Sequence, residues 1–132
     1  MAARVMSGEG SRTMDKERRR APRAAERVAL SIGDAGTALQ TETKNISASG
    51  AYCTLDRFLA PMTKLQLQFE LPRGSRRARI RCSGVVVRVE PVVSPERGQY
   101  NTAIFFTELS ERDRSVIARF VRERLAATSS TD

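Results

Sequence analysis

The sequence lacks histidine and tryptophan and has only two cysteines in 132 residues. Without histidine, the most common general base and the most common metal ligand are both missing. Cys53 and Cys82 are too far apart for the C-x-x-C spacing of zinc sites. Each lies in an alternating apolar segment, so we expect both to be buried core thiols. No nucleophile–base set and no paired carboxylates form a readable motif, so neither an enzyme nor a metal site is expected.

Long apolar runs are also missing from the chain. No stretch approaches the ~20 apolar residues that a membrane span needs. Residues 1–10 carry Arg4 and Glu9 and lack the apolar core of a signal peptide. We therefore expect a cytoplasmic protein without a membrane span.

Negative charge is scarce relative to positive charge. The chain has 23 lysines and arginines against 15 aspartates and glutamates, a formal net charge of +8. Lysine occurs only at Lys16, Lys44 and Lys64, so most of the positive charge is arginine. The planar guanidinium fork matches phosphate groups and the edge of guanine, which an ammonium group does not. This balance predicts an anionic partner, which the composition leaves open as a nucleotide, a nucleic acid or a membrane surface.

Alternating apolar residues predict a mainly β protein. Short strands are expected at residues 28–32, 37–44, 51–55, 65–71, 76–90 and 100–106, with turns rich in Gly, Pro, Asp and Asn between them. Gly84 lies where the apolar parity of the fifth strand changes, which predicts a bulge or bend there. Six short strands linked by turns are typical of an antiparallel barrel or sandwich.

The C-terminal part predicts an amphipathic helix. Ser110 and Asp113 form a plausible capping pair, and apolar residues then recur at helical spacing as far as Leu125. We expect a helix over residues 110–126 that covers an opening or edge of the barrel, followed by a frayed polar tail at 127–132. Pairing of this helix with a second copy, which would give a homodimer, stays open.

An arginine-dense segment precedes the first strand. Residues 1–17 are polar and without hydrophobic periodicity, so they are predicted to be disordered. Residues 18–27, here called the arginine arm, contain the pattern R-x-x-x-R at Arg19 and Arg23. By itself such a run is usually a solvated tail.

A polar turn joins the second predicted strand to the third. Residues 45–50, here called the polar turn, have the pattern N-x-S-x-x-G, and these residue types are ordinary in turns. In an antiparallel sheet, the start of the first strand and the end of the second lie at the same edge. We therefore expect the arginine arm and the polar turn to face each other across one small site.

The combination of these two motifs resembles the PilZ domain, a bacterial receptor family for cyclic di-GMP. The resemblance covers about residues 18–125 and includes the ending from Tyr100 to Phe106, followed by Leu109, Ser110 and a helix. It implies a six-stranded antiparallel β-barrel at residues 28–107 with a C-terminal α-helix, within a domain spanning 18–126. It also implies a non-catalytic receptor or adaptor that needs no cofactor and signals to a downstream protein.

The resemblance assigns a role to each motif residue. Arg19 and Arg23 would bind phosphate and the O6/N7 edge of guanine. Asn45 would offer its amide to guanine; many relatives have aspartate here, which would accept more strongly from N1–H and N2–H₂. Ser47 would contribute its hydroxyl, and Gly50 would permit a positive φ and a close backbone approach. The implied ligand-binding residues are Arg18, Arg19, Arg20, Arg23, Asn45, Ser47 and Gly50, with Arg18 favouring a stacked pair of nucleotides over one molecule.

Ligand binding by such an arm suggests a disorder-to-order switch. Without ligand, the clustered positive charges of residues 18–27 repel one another. A dianionic ligand would neutralise them and tie the arm to the barrel, at the cost of the arm's conformational entropy. The covered site would then present a new surface to a partner protein.

Two other functions remain open. The first is a small β-barrel that binds nucleic acid through the arm and a second basic segment at residues 73–81. Arg77, Arg79 and Arg81 share one strand face there, but aromatic residues are only 5% of the chain, so base-stacking platforms are scarce. The second is an adaptor that has lost ligand binding, against which the intact arginine, Asn, Ser and Gly positions argue.

Overall fold

A computed structural model describes residues 21–34, 36–93 and 98–130. The predicted disorder of residues 1–17 and the positions of Arg18, Arg19 and Arg20 lie outside these ranges. The described residues form seven strands and one helix, which are β1 (Arg23–Ala24), β2 (Ala29–Asp34), β3 (Thr37–Ser47), β4 (Gly50–Leu55), β5 (Lys64–Arg73), β6 (Arg76–Pro91), β7 (Tyr100–Glu108) and α1 (Glu111–Ser130).

Six of the described strands close into an antiparallel barrel. The order around the barrel is β3, β2, β5, β6, β7 and β4, and pairing of β4 with β3 closes the circle. The two-residue strand β1 adds to the edge of β3 beyond the end of β2. The predicted six-stranded antiparallel barrel with a C-terminal helix is therefore confirmed.

The barrel interior follows from the alternation of apolar residues. In β5, Leu65, Leu67, Phe69 and Leu71 are all buried, while Gln66 and Gln68 between them are exposed. Helix α1 places four apolar residues at helical spacing against one end of this core, which closes it to solvent. These residues are Val116, Ile117, Phe120 and Val121.

The two cysteines are free and buried, as predicted. Burial raises the pKa of the Cys53 thiol to about 12. Burial, together with the negative charge of Asp113, raises the pKa of the Cys82 thiol to about 11. Both side chains are therefore neutral thiols at physiological pH and pack as small apolar groups.

The pairing of β6 with β7 is irregular at Gly84, as predicted, but the predicted change of apolar parity does not occur there. Cys82, Gly84 and Val86 all face inward, so the parity of β6 does not change at the glycine. The pairing with β7 does shift beside Gly84, but the unpaired residue of β6 itself is Val87, between Val86 and Arg88. The predicted irregularity at Gly84 is therefore present, and only the predicted change of parity there was wrong, because Val85 and Val87 are apolar residues that lie partly or largely exposed on the outer surface.

Helix α1 begins where the capping pair predicted. The Asp113 backbone N–H donates to Ser110 Oγ at 3.0 Å, so Ser110 is the N-cap. The helix runs to Ser130, four residues past the expected end at 126, and the strong helix formers Ala126 and Ala127 lie where it continues. Within the described part of the chain, no helix is long and apolar enough to cross a bilayer.

Candidate ligand-binding site

The described end of the arginine arm is paired to the strand that leads into the polar turn. Arg23 lies opposite Ser47, and Ala24 lies opposite Ile46, in the antiparallel pairing of β1 with β3. The side chain of Ala24 is buried in the core, which fixes this segment against the barrel. The structure thus brings one arginine of the R-x-x-x-R pattern to the N-x-S-x-x-G segment.

Arg23 and Asn45 are in direct contact. Arg23 Nη1 donates a hydrogen bond to Asn45 Oδ1 at 2.8 Å. Arg23 is exposed and Asn45 half-buried, so this contact lies at the protein surface. Asn45 follows a break in the register of β3 with β4, between Thr43 and Asn45, and such bulges redirect side chains.

Thr43 anchors the segment between the arm and β2. Its Oγ1 donates to the Glu26 carbonyl at 2.6 Å and accepts from the Val28 N–H at 2.9 Å. Its backbone N–H donates to the Val28 carbonyl at 2.9 Å. The threonine side chain is 2% exposed. Sequence reasoning missed this role, since a threonine within a strand gives no local sign of a tertiary partner.

The C-terminal helix also reaches the base of the arm and the polar turn. Arg124 lies 3.7 Å from Glu26 in an ion pair and stacks its guanidinium over the Phe120 ring at 4.9 Å. Arg114 Nη1 donates to the Ala48 carbonyl at 3.2 Å. Neither arginine was among the predicted site residues, because the helix is more than 60 residues from the turn in sequence.

The polar turn is shorter than predicted. Asn45, Ile46 and Ser47 belong to β3, and only Ala48 and Ser49 make the turn before β4 begins at Gly50. The Ser47 hydroxyl is fully buried and accepts from the Ser49 N–H at 3.1 Å. It also lies 2.9 Å from Ser49 Oγ. Ser47 therefore shapes the turn from inside, and Asn45 and Ser49 are the polar side chains nearer to solvent.

Of the two properties predicted for Gly50, a positive φ and a close backbone approach, the structure shows only the second. Its φ is not positive, so that expectation was wrong. A Cβ atom at this position would lie 2.2 Å from the Ile104 carbonyl oxygen of β7. The close backbone approach that a glycine permits is therefore made to the neighbouring strand of the barrel.

A second polar group lies on the same side of the barrel. Asn101 Oδ1 on β7 accepts from Thr54 Oγ1 at 2.8 Å and from Lys44 Nζ at 3.2 Å. Lys44 also lines a cleft of about 490 Å³ together with Arg27. These cations extend the positive surface beyond Arg23.

The second basic segment is partly neutralised by an acid from the neighbouring strand. Arg77 Nε and Arg79 Nη2 lie 3.1 and 3.3 Å from the Glu70 carboxylate oxygens. Hydrogen bonds from these two arginines lower the pKa of Glu70. All three side chains are substantially solvent-exposed, and exposed pairs of this kind contribute little to stability. Arg77, Arg79 and Arg81 do share an exposed face, as predicted.

Comparison with known proteins decides the family. A model of the PilZ domain matches residues 17–123. This chain belongs to the PilZ domain family. No curated protein matches the PilZ chain.

Several solved structures share the fold of this PilZ domain. The inhibitor of motility MotI/DgrA of Bacillus subtilis is 19% identical with a TM-score of 0.73, covering 82% of this chain and 51% of that one. The PilZ domain of YcgR from Escherichia coli with c-di-GMP is 15% identical with a TM-score of 0.62, and the match covers 87% of this chain and 98% of that one. The MrkH–c-di-GMP complex of K. pneumonia is 17% identical with a TM-score of 0.63, and the match covers 86% of this chain and 55% of that one. The chain thus spans about half the length of MotI/DgrA and MrkH.

The motif residues of this PilZ domain fall into two groups. Arg23, Asn45, Ser47 and Gly50 lie together at the end of β3, with Arg23 and Asn45 in contact. Arg18, Arg19 and Arg20 precede the first described residue, and their roles in ligand binding stay predictions. In the described ranges, no group of three or more cysteine, aspartate or glutamate side chains could hold a metal ion.

Proposed function

We propose that this PilZ domain is a non-catalytic receptor for cyclic di-GMP, held between the arginine arm and the polar turn. The observation that carries the proposal is the hydrogen bond from Arg23 to Asn45, made across the pairing of β1 with β3. It joins the two motifs at one point on the outer surface. Related PilZ structures of YcgR and MrkH contain c-di-GMP, which supports the same ligand here.

The chemistry of the ligand fits the groups at this point. Cyclic di-GMP carries two phosphates and two guanines, and guanidinium groups bind both phosphate oxygens and the guanine O6/N7 edge. Arg19 and Arg23 take these roles, with Arg18 and Arg20 adding positive charge for one nucleotide or a stacked pair. Asn45 contacts guanine, while Ser47 and Gly50 hold the turn and the strand that present it.

The receptor and nucleic-acid functions are separated by calorimetry with cyclic di-GMP, GTP and a short single-stranded oligonucleotide. We expect cyclic di-GMP to bind with saturable heat, whereas GTP and the oligonucleotide bind at least about tenfold more weakly, because GTP has only one guanine and the oligonucleotide does not hold two guanines and two phosphates in one compact ring. Oligonucleotide binding that is tighter than cyclic di-GMP binding, and that weakens steeply with salt, would favour the nucleic-acid barrel. Absence of heat with cyclic di-GMP contradicts the proposal.

Ordering of the arm is the proposed signal. Arg23 and Ala24 are already paired to β3, so ligand binding needs to order only the residues before them. This lowers the entropy cost relative to ordering the whole arm, at about 1–2 kcal/mol per residue. The arm closed over the ligand would offer a downstream protein a surface that the free protein lacks.

Amide hydrogen exchange tests this ordering. With saturating cyclic di-GMP, we expect exchange of residues 18–21 to slow by at least about tenfold, because their amides become tied to the ligand or barrel. Exchange in β2 and β5 should change little and serves as the internal reference. Equal exchange of residues 18–21 with and without ligand would contradict the switch while leaving ligand binding itself intact.

A further inference from the structure

The contact between Arg23 and Asn45 fixes the direction of the Asn45 amide. A guanidinium group has only donors, so the amide group must turn its oxygen toward Arg23. The Arg23 Nη1 to Asn45 Oδ1 distance of 2.8 Å is that of a charge-assisted hydrogen bond. The NH₂ group of Asn45 then points away from Arg23. Within the described ranges this NH₂ group has no hydrogen-bond partner, so it can donate to a ligand at this position.

Guanine offers different groups along its edges. O6 and N7 are acceptors, whereas N1–H and the exocyclic N2–H₂ are donors. A free NH₂ group complements O6 or N7, but it opposes N2–H₂. Resting on the proposed function, we propose that Asn45 recognises guanine by donating a hydrogen bond to O6 and makes no contact with the exocyclic N2 amino group.

An aspartate at position 45 would reverse this selection. A carboxylate presents only acceptors, whose complement on guanine is the pair N1–H and N2–H₂. Removal of the N2 amino group would then cost affinity, since a carboxylate oxygen would lose its partner. With Asn45, the same removal takes away no hydrogen bond.

The neutral amide has a second consequence for Arg23. Asn45 accepts a hydrogen bond from the guanidinium group without cancelling its charge. An aspartate would form an ion pair with Arg23 in the free protein, and a phosphate would have to compete with that pair. Asn45 therefore holds Arg23 in place and leaves its full positive charge available to the ligand.

The experiment compares three cyclic dinucleotides by calorimetry: cyclic di-GMP, cyclic di-inosine monophosphate and cyclic di-AMP. Hypoxanthine keeps O6 and N1–H but lacks N2–H₂, while adenine has an amino group in place of O6. We expect the wild type to bind the inosine compound within about threefold of cyclic di-GMP. We expect cyclic di-AMP to bind at least about 30-fold more weakly, because each of its two adenines has an amino donor where guanine has the O6 acceptor.

The variant Asn45→Asp should reverse the inosine result. Its affinity for the inosine compound should fall at least about tenfold below its affinity for cyclic di-GMP. Asn101→Asp is the matched control, because it adds the same charge on β7 and its carboxylate can still accept from Thr54 and Lys44. We expect this control to keep the wild-type ratio, with circular dichroism confirming that both variants are folded.

The outcomes separate the inference from the proposed function. If the wild type binds cyclic di-GMP but loses more than about threefold with the inosine compound, the inference is overturned and the receptor function stands. If no cyclic dinucleotide binds, both fail. If Asn45→Asp binds nothing, the wild-type ratios decide: a ratio within threefold supports the inference, and a larger one overturns it.

Discussion

Gly50→Ala is expected to lower the free energy of unfolding by about 3 kcal/mol or more, or to prevent folding altogether. The added Cβ would lie 2.2 Å from the Ile104 carbonyl oxygen and 3.3 Å from the Phe105 Cα. These are backbone atoms of β7, so relief requires β4 and β7 to separate along their shared ladder. Urea denaturation followed by circular dichroism measures the loss.

Gly33→Ala is the matched control for this change. Gly33 also lies in a strand, but a Cβ there would meet only Gln66, at 3.7 Å and 3.8 Å, which is ordinary van der Waals contact. We expect its stability to stay within about 1 kcal/mol of the wild type, since only the loss of glycine's backbone freedom and ordinary packing are involved. A Gly50→Ala variant as stable as Gly33→Ala would contradict the close approach of β4 and β7.

Replacement of Arg19 and Arg23 together by alanine is expected to weaken cyclic di-GMP binding by at least about 100-fold. Each arginine is assigned charge-assisted hydrogen bonds to the ligand, worth roughly 1.5–3 kcal/mol for each charged partner. Two such losses lower the binding free energy by at least about 3 kcal/mol, which is more than twice the 1.36 kcal/mol that corresponds to a tenfold change in affinity. Arg23→Ala also frees Asn45 from its partner, so the amide loses its fixed direction. Calorimetry measures the change.

Arg73→Ala with Arg81→Ala removes the same charge from the second basic segment. Both side chains are exposed, and neither belongs to the proposed ligand site. We expect cyclic di-GMP affinity to change by no more than about threefold, through the weaker long-range field alone. An equal loss in the two double variants would show that net charge, not the arm, governs binding. A loss confined to oligonucleotide binding would point to the alternative function.

The periodicity of apolar residues predicted the strands and the helix well wherever one face of the element is buried and the other is exposed to solvent. The alternation of β5 and the cap at Ser110 were visible because local chemistry determines them. The parity of β6 was misjudged because Val85 and Val87 are apolar without being core residues. Apolar character reports burial only on average, and this stretch is an exception.

The candidate site was predicted in outline and missed in detail. Sequence order alone placed Arg23 near Asn45, since antiparallel neighbours meet at one edge. The burial of Ser47, the clash that excludes a side chain at Gly50, and the anchoring by Thr43 depend on strands that meet only after folding. No local pattern carries that information, because each partner is remote in sequence.

Strand β3 serves the barrel and the receptor at once. Along its length it pairs with β2, then β1, and on its other edge it meets β4 to complete the circle. A nucleotide bound at the last residues of β3 would lie where β3 and β4 close the barrel. Ligand binding would therefore raise the melting temperature of the protein by mass action. A substitution that weakens the pairing of β3 with β4, even one on the opposite side of the barrel, is therefore expected to lower ligand affinity before the fold is lost.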